Sequence, residues 1–309
     1  MPPIIYIILP VYNWEKYLLQ QLMSIYFQDY ENWHLIIIND GSTDSTKSVI
    51  DKFISDYKLQ KKITIISQKN QWLNKSIENW LMEAKKIIKS SWCSDAYITY
   101  CDADDLMMTN RLSYQVDFME NHKECDLSYH DLILIDENNT IIDMSYLKML
   151  NKSFFSNIKC DRLYEFCWAN HIPSTTIMFK SDKIDLLLPF PNSFPFQDRR
   201  TALVFSWNNL NIENIWKSLW YYRRYKNQMS DTSWKKVNIS KKFNDFSKSL
   251  NNLKNNLIDK KRINEIEEYI KYYKDKSKWI EMNTSKIKQK FLVIFYHPKI
   301  LIYRLLSYL

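Results

Sequence analysis

Residues 96–107 read A-Y-I-T-Y-C-D-A-D-D-L-M, an apolar run that gives way within a few residues to three carboxylates. Ala96 to Tyr100 has the length and make-up of a buried strand. Asp102, Asp104 and Asp105 therefore fall where a strand ends and a loop begins, the place where open α/β sheets bind ligands. Carboxylates this close repel one another, and a divalent cation with hard oxygen ligands neutralises them at least cost. Taken alone, D-A-D also reads as a solvated Asp-rich turn, so the surrounding chain has to decide.

Upstream, short apolar runs alternate with helical periods. Ile4 to Leu9 ends at Pro10 and opens into V-Y-N-W at 11–14, and Glu15 to Phe27 then carries Leu18, Leu19, Leu22, Ile25 and Tyr26 at helical spacing. Leu35 to Ile38 runs into N-D-G-S-T-D at 39–44, whose polar residues suit a helix from Ser45 to Tyr57 with Val49, Ile50 and Phe53 inward. A third strand at Ile63 to Ile66 and a third helix at Leu73 to Ile88 precede the strand that ends in the acids. This alternation predicts a parallel, doubly wound α/β sheet with the loops at 10–13, 39–44 and 102–105 gathered on one edge.

Composition narrows the chemistry. The 309 residues include a single glycine, Gly41, whereas a P-loop and a dinucleotide G-x-G-x-x-G each need several. Any phosphate must be met by side chains, a metal or a helix N-terminus. The net charge of +8 favours an anionic partner without choosing one. Five scattered cysteines without a C-x-x-C pair argue against a disulfide framework and a zinc site, and point to a reducing compartment. Met1 to Pro10 has no basic leader and no cleavage pattern, so the expected location is the cytosol.

I-L-P-V-Y-N-W-E-K-Y-L at 8–18, L-I-I-I-N-D-G-S-T-D-S-T at 35–46 and D-A-D-D at 102–105 resemble, in order and spacing, the signatures of family-2 glycosyltransferases of the GT-A fold. The resemblance covers roughly residues 1 to 230 and implies a mixed sheet with helices on both faces: a nucleotide-sugar-binding half at 1–105 and an acceptor-binding half at 106–230. It implies that Pro10 and Tyr12 line the base and ribose pocket and that Asp40 accepts from the pyrimidine N3–H. Uracil and thymine present that donor equally, so UDP- and dTDP-sugars both remain, and a helix-capping role for Asp40 remains beside them. Asp104 would hold Mg²⁺ or Mn²⁺, Asp102 would help through the ribose or a metal-bound water, and Asp105 would support the loop. The glycine the family usually carries near Asn70 is missing, which leaves a donor contact by Gln68 to Asn74 in doubt.

Past the acids, Arg111 to Met119 reads as a helix, Leu127 to Ile135 and Thr140 to Met144 as strands, Cys160 to Ala169 as a helix and Thr175 to Phe179 as a strand. Gln197 to Leu203, Q-D-R-R-T-A-L, resembles the family segment that faces the anomeric carbon, in a subgroup that includes rhamnosyltransferases; Asp198 is thereby the candidate general base. Its plainer role is an acid at a helix start. Arg199, Arg200 and Arg223 are candidates for phosphate, with solvent or aromatic packing as their alternatives. Trp216 to Ser230 resembles the closing strand with its Y-R-x-H, except that Tyr225 stands where the histidine belongs.

After Ser230, Phe243, Phe246, Leu250, Leu253 and Leu257, then Ile263, Ile266 and Ile270, recur at helical spacing, so 231–309 reads as a helical extension. Its last stretch, from Ile287, mixes Lys288, Lys290, Lys299 and Arg304 with aliphatic and aromatic residues. That suits helices lying on an anionic membrane face at the inner side of the cell membrane, or packing on the core or in a homo-oligomer. The expected function is an inverting transfer of a hexose from a nucleotide-diphosphate sugar to a saccharide acceptor on a lipid carrier, in bacterial surface polysaccharide synthesis. A catalytically silent nucleotide-sugar-binding or scaffold subunit is the alternative. Nucleic acid is disfavoured because acids dilute the lysines along the same helices.

Overall fold

The computed structural model describes residues 2–70, 73–90, 95–149, 172–189, 197–226, 228, 271 and 274. The expected helix at Cys160 to Ala169 and the C-terminal extension lie outside them, apart from helical backbone at Lys271 and Lys274. Packing divides the chain into two units, Met1–Lys152 with Lys159–Lys226, and Ser153–Ile158 with Asn227–Leu309. The first carries the sheet and everything argued below.

Four strands form as the apolar runs require: β1 (Ile4–Val11), β2 (Trp33–Asn39), β3 (Ile63–Ser67) and β4 (Ala96–Tyr100). They pair in parallel in the order β3-β2-β1-β4. Between them run α1 (Leu18–Tyr26), α2 (Thr46–Tyr57) and α3 (Leu73–Ser90). Ile5, Ile7 and Leu9 of β1 share one core cluster with Leu35 and Ile37 of β2, Leu22 and Ile25 of α1, and Ile50 and Phe53 of α2. Each such buried side chain is worth roughly 1.5–3 kcal/mol, which fixes register because a slip of one residue would turn the whole set outward.

The second half continues the sheet with different rules. β5 (Leu106–Met107), α4 (Arg111–Asn121), β6 (Leu127–Ile135), β7 (Ile141–Asp143), α5 (Tyr146–Met149), β8 (Met178–Lys180), α6 (Gln197–Trp207) and β9 (Ile212–Arg223) follow in chain order. The nine-stranded sheet runs β3-β2-β1-β4-β8-β6-β9-β5, with β7 beside β6. β8 is antiparallel to β4 and β6, whereas β9 is parallel to β6, so the sheet is mixed.

Two strand boundaries move. The strand expected over Thr175 to Phe179 starts at Met178, because Ser174–Thr176 is a tight 3-10 turn held by Pro173, whose carbonyl accepts from the Thr176 N–H at 3.0 Å and its hydroxyl at 2.7 Å. The closing strand starts at Ile212 and ends at Arg223, so Arg224 and Tyr225 lie past its end. Its register passes from Tyr129↔Asn214 to Asp131↔Ser218, and the extra β9 residues bulge out with Trp216 exposed at φ 58°.

Candidate active site

The ends of β1, β2 and β4 lie side by side. Val11 pairs with Asn39, the Asp40 N–H donates to Val11 O at 2.9 Å, and the Cys101 N–H donates to Ile8 O at 3.0 Å. The three polar loops thus leave the same edge of the sheet, and Pro10 and Tyr12 stand beside Asn39 and Asp40.

Side chains lock the first two loops together. Asn13 Oδ1 accepts from the Thr43 N–H at 2.8 Å, the Trp14 N–H donates to Thr46 Oγ1 at 2.8 Å, and Glu15 Oε2 accepts from the Ser45 N–H at 2.9 Å. Asp44 takes the Thr46 N–H at 2.9 Å and the Glu15 N–H at 3.1 Å, so the acid at the start of α2 is Asp44. Asp40 is not the cap. Its carboxylate turns the other way, accepting from Gln68 Nε2 at 2.7 Å and Ser76 Oγ at 2.9 Å, while Gln68 Oε1 accepts from Asn79 Nδ2 at 3.4 Å. Neither Gln68 nor Ser76 stood out in the sequence as a partner of Asp40. The adjacent Gly41 has φ +74°, and a Cβ there would come within 2.8 Å of the Asn70 nitrogen, so this is a position that needs glycine.

The three acids divide their work. Asp105 is fully buried, its carboxylate bound by Trp220 Nε1 at 2.9 Å and the Arg223 N–H at 2.8 Å; it supports the loop, as expected. Asp104 is 8% exposed, and its Oδ2 accepts from the Tyr225 hydroxyl at 2.8 Å. Tyr225, an apparent loss by sequence, therefore sits directly on the metal candidate, with its ring 6.1 Å from that of Tyr17 and 6.3 Å from that of Trp14. Asp102 faces the Ser174 hydroxyl at 3.5 Å. Burial, then the charges of Asp104 and Asp198, push its carboxyl up to about 7.

Asp198 lies in the first turn of α6. Its charge acts on Asp102, on the phenol of Tyr100 and on the phenol of Tyr146. Tyr146 lies in a stretch to which the sequence assigned no role. The arginines separate. For Arg223 the aromatic alternative is the one found: it is fully buried, giving Nε to Asp104 O at 2.7 Å, Nη1 to Asn139 Oδ1 at 2.6 Å and Nη2 to Gln20 Oε1 at 3.1 Å, with its guanidinium 4.5 Å over Tyr17. Arg200 is also buried and donates to the carbonyls of Leu187 at 3.4 Å and Pro189 at 2.9 Å. Each arginine is held by backbone oxygens that an apolar residue would leave unsatisfied.

Among the described residues no group of three or more His, Cys, Asp or Glu is arranged to hold a metal ion. Asp102 and Asp104 still fit a small hard cation. They supply carboxylate oxygens in a place with an excess of negative charge, and Mg²⁺-type sites take one or two protein carboxylates and complete their shell from phosphate and water.

The model of the family described as glycosyl transferase family 2 matches residues 6–176. The chain belongs to glycosyl transferase family 2. The chain is 22% identical over 234 residues to TuaG of Bacillus subtilis, a protein named for teichuronic acid biosynthesis, with 75% of this chain and 84% of the relative covered. At 32% identity it matches two further curated glycosyltransferases over 45% and 59% of their lengths, so it spans about half of each. Its fold is similar to that of the mannosyltransferase PcManGT from Pyrobaculum calidifontis in complex with GDP-Man and Mn²⁺ (TM-score 0.62, 14% identity, 99% of this chain and 84% of that one). It is also similar to S. aureus TarS in complex with UDP-GlcNAc (TM-score 0.59, 16% identity, 87% and 71%). At these identities the likeness speaks for the GT-A fold. None of the helices among the described residues is long and apolar enough to cross a membrane.

Proposed function

We propose that this transferase moves a hexose from a UDP- or dTDP-sugar to a saccharide acceptor, carried on lipid, in the synthesis of a bacterial surface polysaccharide, with inversion at the anomeric carbon. The observation that carries the reading is the sheet edge where the loops after β1, β2 and β4 leave side by side, with Asp40, Asp102 and Asp104 on them; the charge of Asp198, from α6, is felt there by Asp102. A base brought by a second element to the edge where a diphosphate would lie suits attack from the side opposite the leaving group.

In this reading Pro10 and Tyr12 border the base, and Asp40, aimed by Gln68 and Ser76, accepts its N3–H. Asp102 and Asp104 hold the cation, which neutralises charge on the departing diphosphate. Asp198 takes the proton of the acceptor hydroxyl as that oxygen attacks, a contribution of about 10²- to 10⁴-fold in rate. Similarity to a teichuronic acid relative supports a surface polysaccharide as the product.

One observation favours the silent-subunit reading: the Tyr225 hydroxyl holds an oxygen of Asp104. Calorimetry with UDP, dTDP and GDP, with and without Mn²⁺, separates the two. Tight binding of a pyrimidine diphosphate that depends on Mn²⁺ is expected of the enzyme. Binding indifferent to Mn²⁺, with no turnover of any sugar nucleotide, would leave only the silent subunit.

A further inference from the structure

The acceptor side of the site has a wall that the transfer reaction as described above does not use. Tyr222 is the last residue but one of β9 and Arg224 follows just past its end. The backbone is still held there, because the Arg224 N–H donates to Ile135 O at 2.7 Å. The ring of Tyr146 lies 6.3 Å from that of Tyr222 at 59°, and the Arg224 guanidinium lies 5.9 Å over Tyr222. Tyr146 is placed by a built device. Asp131 of β6, 9% exposed, accepts from the Leu147 N–H at 3.0 Å and from the Ser145 hydroxyl, and so clamps the turn on either side of the tyrosine. The Tyr146 phenol feels the charges of both Asp198 and Arg224.

This face therefore carries two phenols and a cation within the field of the proposed base. We propose that it is an acceptor subsite for a sugar bearing a negative charge, with the ring against Tyr146 and Tyr222 and the sugar's carboxylate or phosphate on Arg224. This rests on Asp198 being the base that meets the acceptor. Two physical arguments carry it. The carboxylates of Asp102, Asp104 and Asp198 act on one another and repel an anionic acceptor, and the cation beside Tyr222 offsets that field where the acceptor's own charge would sit. The planar guanidinium also presents paired N–H donors that match the two oxygens of a carboxylate or phosphate, and it lies 5.9 Å over the Tyr222 ring.

The test uses the full chain with UDP and Mn²⁺ and three probes: methyl glucoside, methyl glucuronide and glucose 6-phosphate. Binding is followed by saturation-transfer NMR at low salt. At least one charged sugar is expected to bind roughly tenfold more tightly than the neutral one, the order of magnitude of a charge-assisted contact. Preference for the glucuronide identifies a uronate-type acceptor, and preference for the phosphate a phosphorylated one. Arg224→Gln should abolish the preference without moving UDP affinity, and Arg224→Lys should keep part of it. Tyr146→Ala should weaken all three sugars alike. Equal binding of the three, no binding of any, or a preference that survives Arg224→Gln overturns the proposal. UDP affinity, read in the same samples, reports separately on the donor site.

Discussion

The parallel half of the sheet and the half built from β5 to β9 reach the same edge by opposite means. β1 and β2 are largely aliphatic, their loops are tied by short side chains to neighbouring backbone, and of their two left-handed positions, Asn13 and Gly41, one holds the chain's one glycine. The other half is held by buried charge. Arg111 is fully buried on Thr99 Oγ1 and on the carbonyls of Thr175 and Ile177, Arg223 threads the acid loop to the loop after β6, and Asp105, His130 and Asp131 sit within the same layer. The difference teaches where the molecule is adaptable. Hydrophobic burial tolerates volume-conserving change, whereas a buried charge stripped of its partners leaves the remainder unpaired and costs several kcal/mol.

The largest effect should come from the proposed base, Asp198, in the first turn of α6. Asp198→Asn is expected to lower kcat by about 10²- to 10⁴-fold while UDP affinity stays within a factor of about two, measured by turnover and calorimetry on the same sample. An equal loss in nucleotide affinity would move Asp198 from the acceptor side to the donor side.

Acid should distinguish the halves next. His130 is buried; its Nδ1–H donates to Asp131 O at 2.8 Å, so Nε2 faces the Arg111 Nε–H at 3.5 Å as the acceptor. Burial, then the Arg111 charge, pull this imidazole down to about 3 from an ordinary 6.5. The folded state keeps His130 neutral while the unfolded chain takes up a proton below 6.5, so stability is lost as pH falls from there towards 3, at up to about 1.4 kcal/mol per pH unit. Hydrogen exchange at pH 7 and pH 4.5 should show β6 amides losing protection before those of β1. His130→Gln should flatten the slope, and loss in β1 first would deny that buried charge sets the difference.

The legibility of the two halves follows the same line. β1 to β4 could be read because an all-buried parallel strand is a continuous apolar run and the loops between carry residues whose short polar side chains bind backbone. Asp40 stood out as a candidate, but its two partners Gln68 and Ser76 did not, since those residues come from another loop and another helix. Arg200 misled because a buried arginine held by carbonyls has the same letter as one facing phosphate or solvent, whereas the aromatic packing open to Arg223 is the one found. Tyr225 misled in the reverse sense: absence of histidine was visible, and a phenol reaching Asp104 was not. Tyr146 and Arg224 gave no local signal, since their association depends on a parallel pairing of β6 with β9 and on a side-chain clamp from Asp131.

Within the parallel half, Ser76→Ala removes one of two hydrogen bonds that aim Asp40, and a bond to a charged group is worth about 1.5–3 kcal/mol. UDP affinity should fall by roughly tenfold while the unfolding midpoint moves little, because Gln68 still holds the other oxygen of Asp40. A collapse of stability with unchanged affinity would mean that Ser76 holds the fold and not the base-reading acid.

Gly41→Ala should have the smallest effect on turnover and tests the interlocked loops themselves. At φ +74° an alanine pays about 1–2 kcal/mol for its Cβ, and that atom would meet the Asn70 nitrogen at 2.8 Å. A backbone nitrogen cannot swing aside like a side-chain tip, so the loop at Gln68 to Asn70 must shift. Because Gln68 donates to Asp40, the shift would carry into nucleotide binding. A stability loss of about 1–2 kcal/mol by denaturant titration, accompanied by weaker UDP binding and an unchanged kcat at saturating donor, is expected. Loss of stability alone would show that the loop gives way around the new methyl group without disturbing Gln68, and that Asp40 is aimed from the Ser76 side.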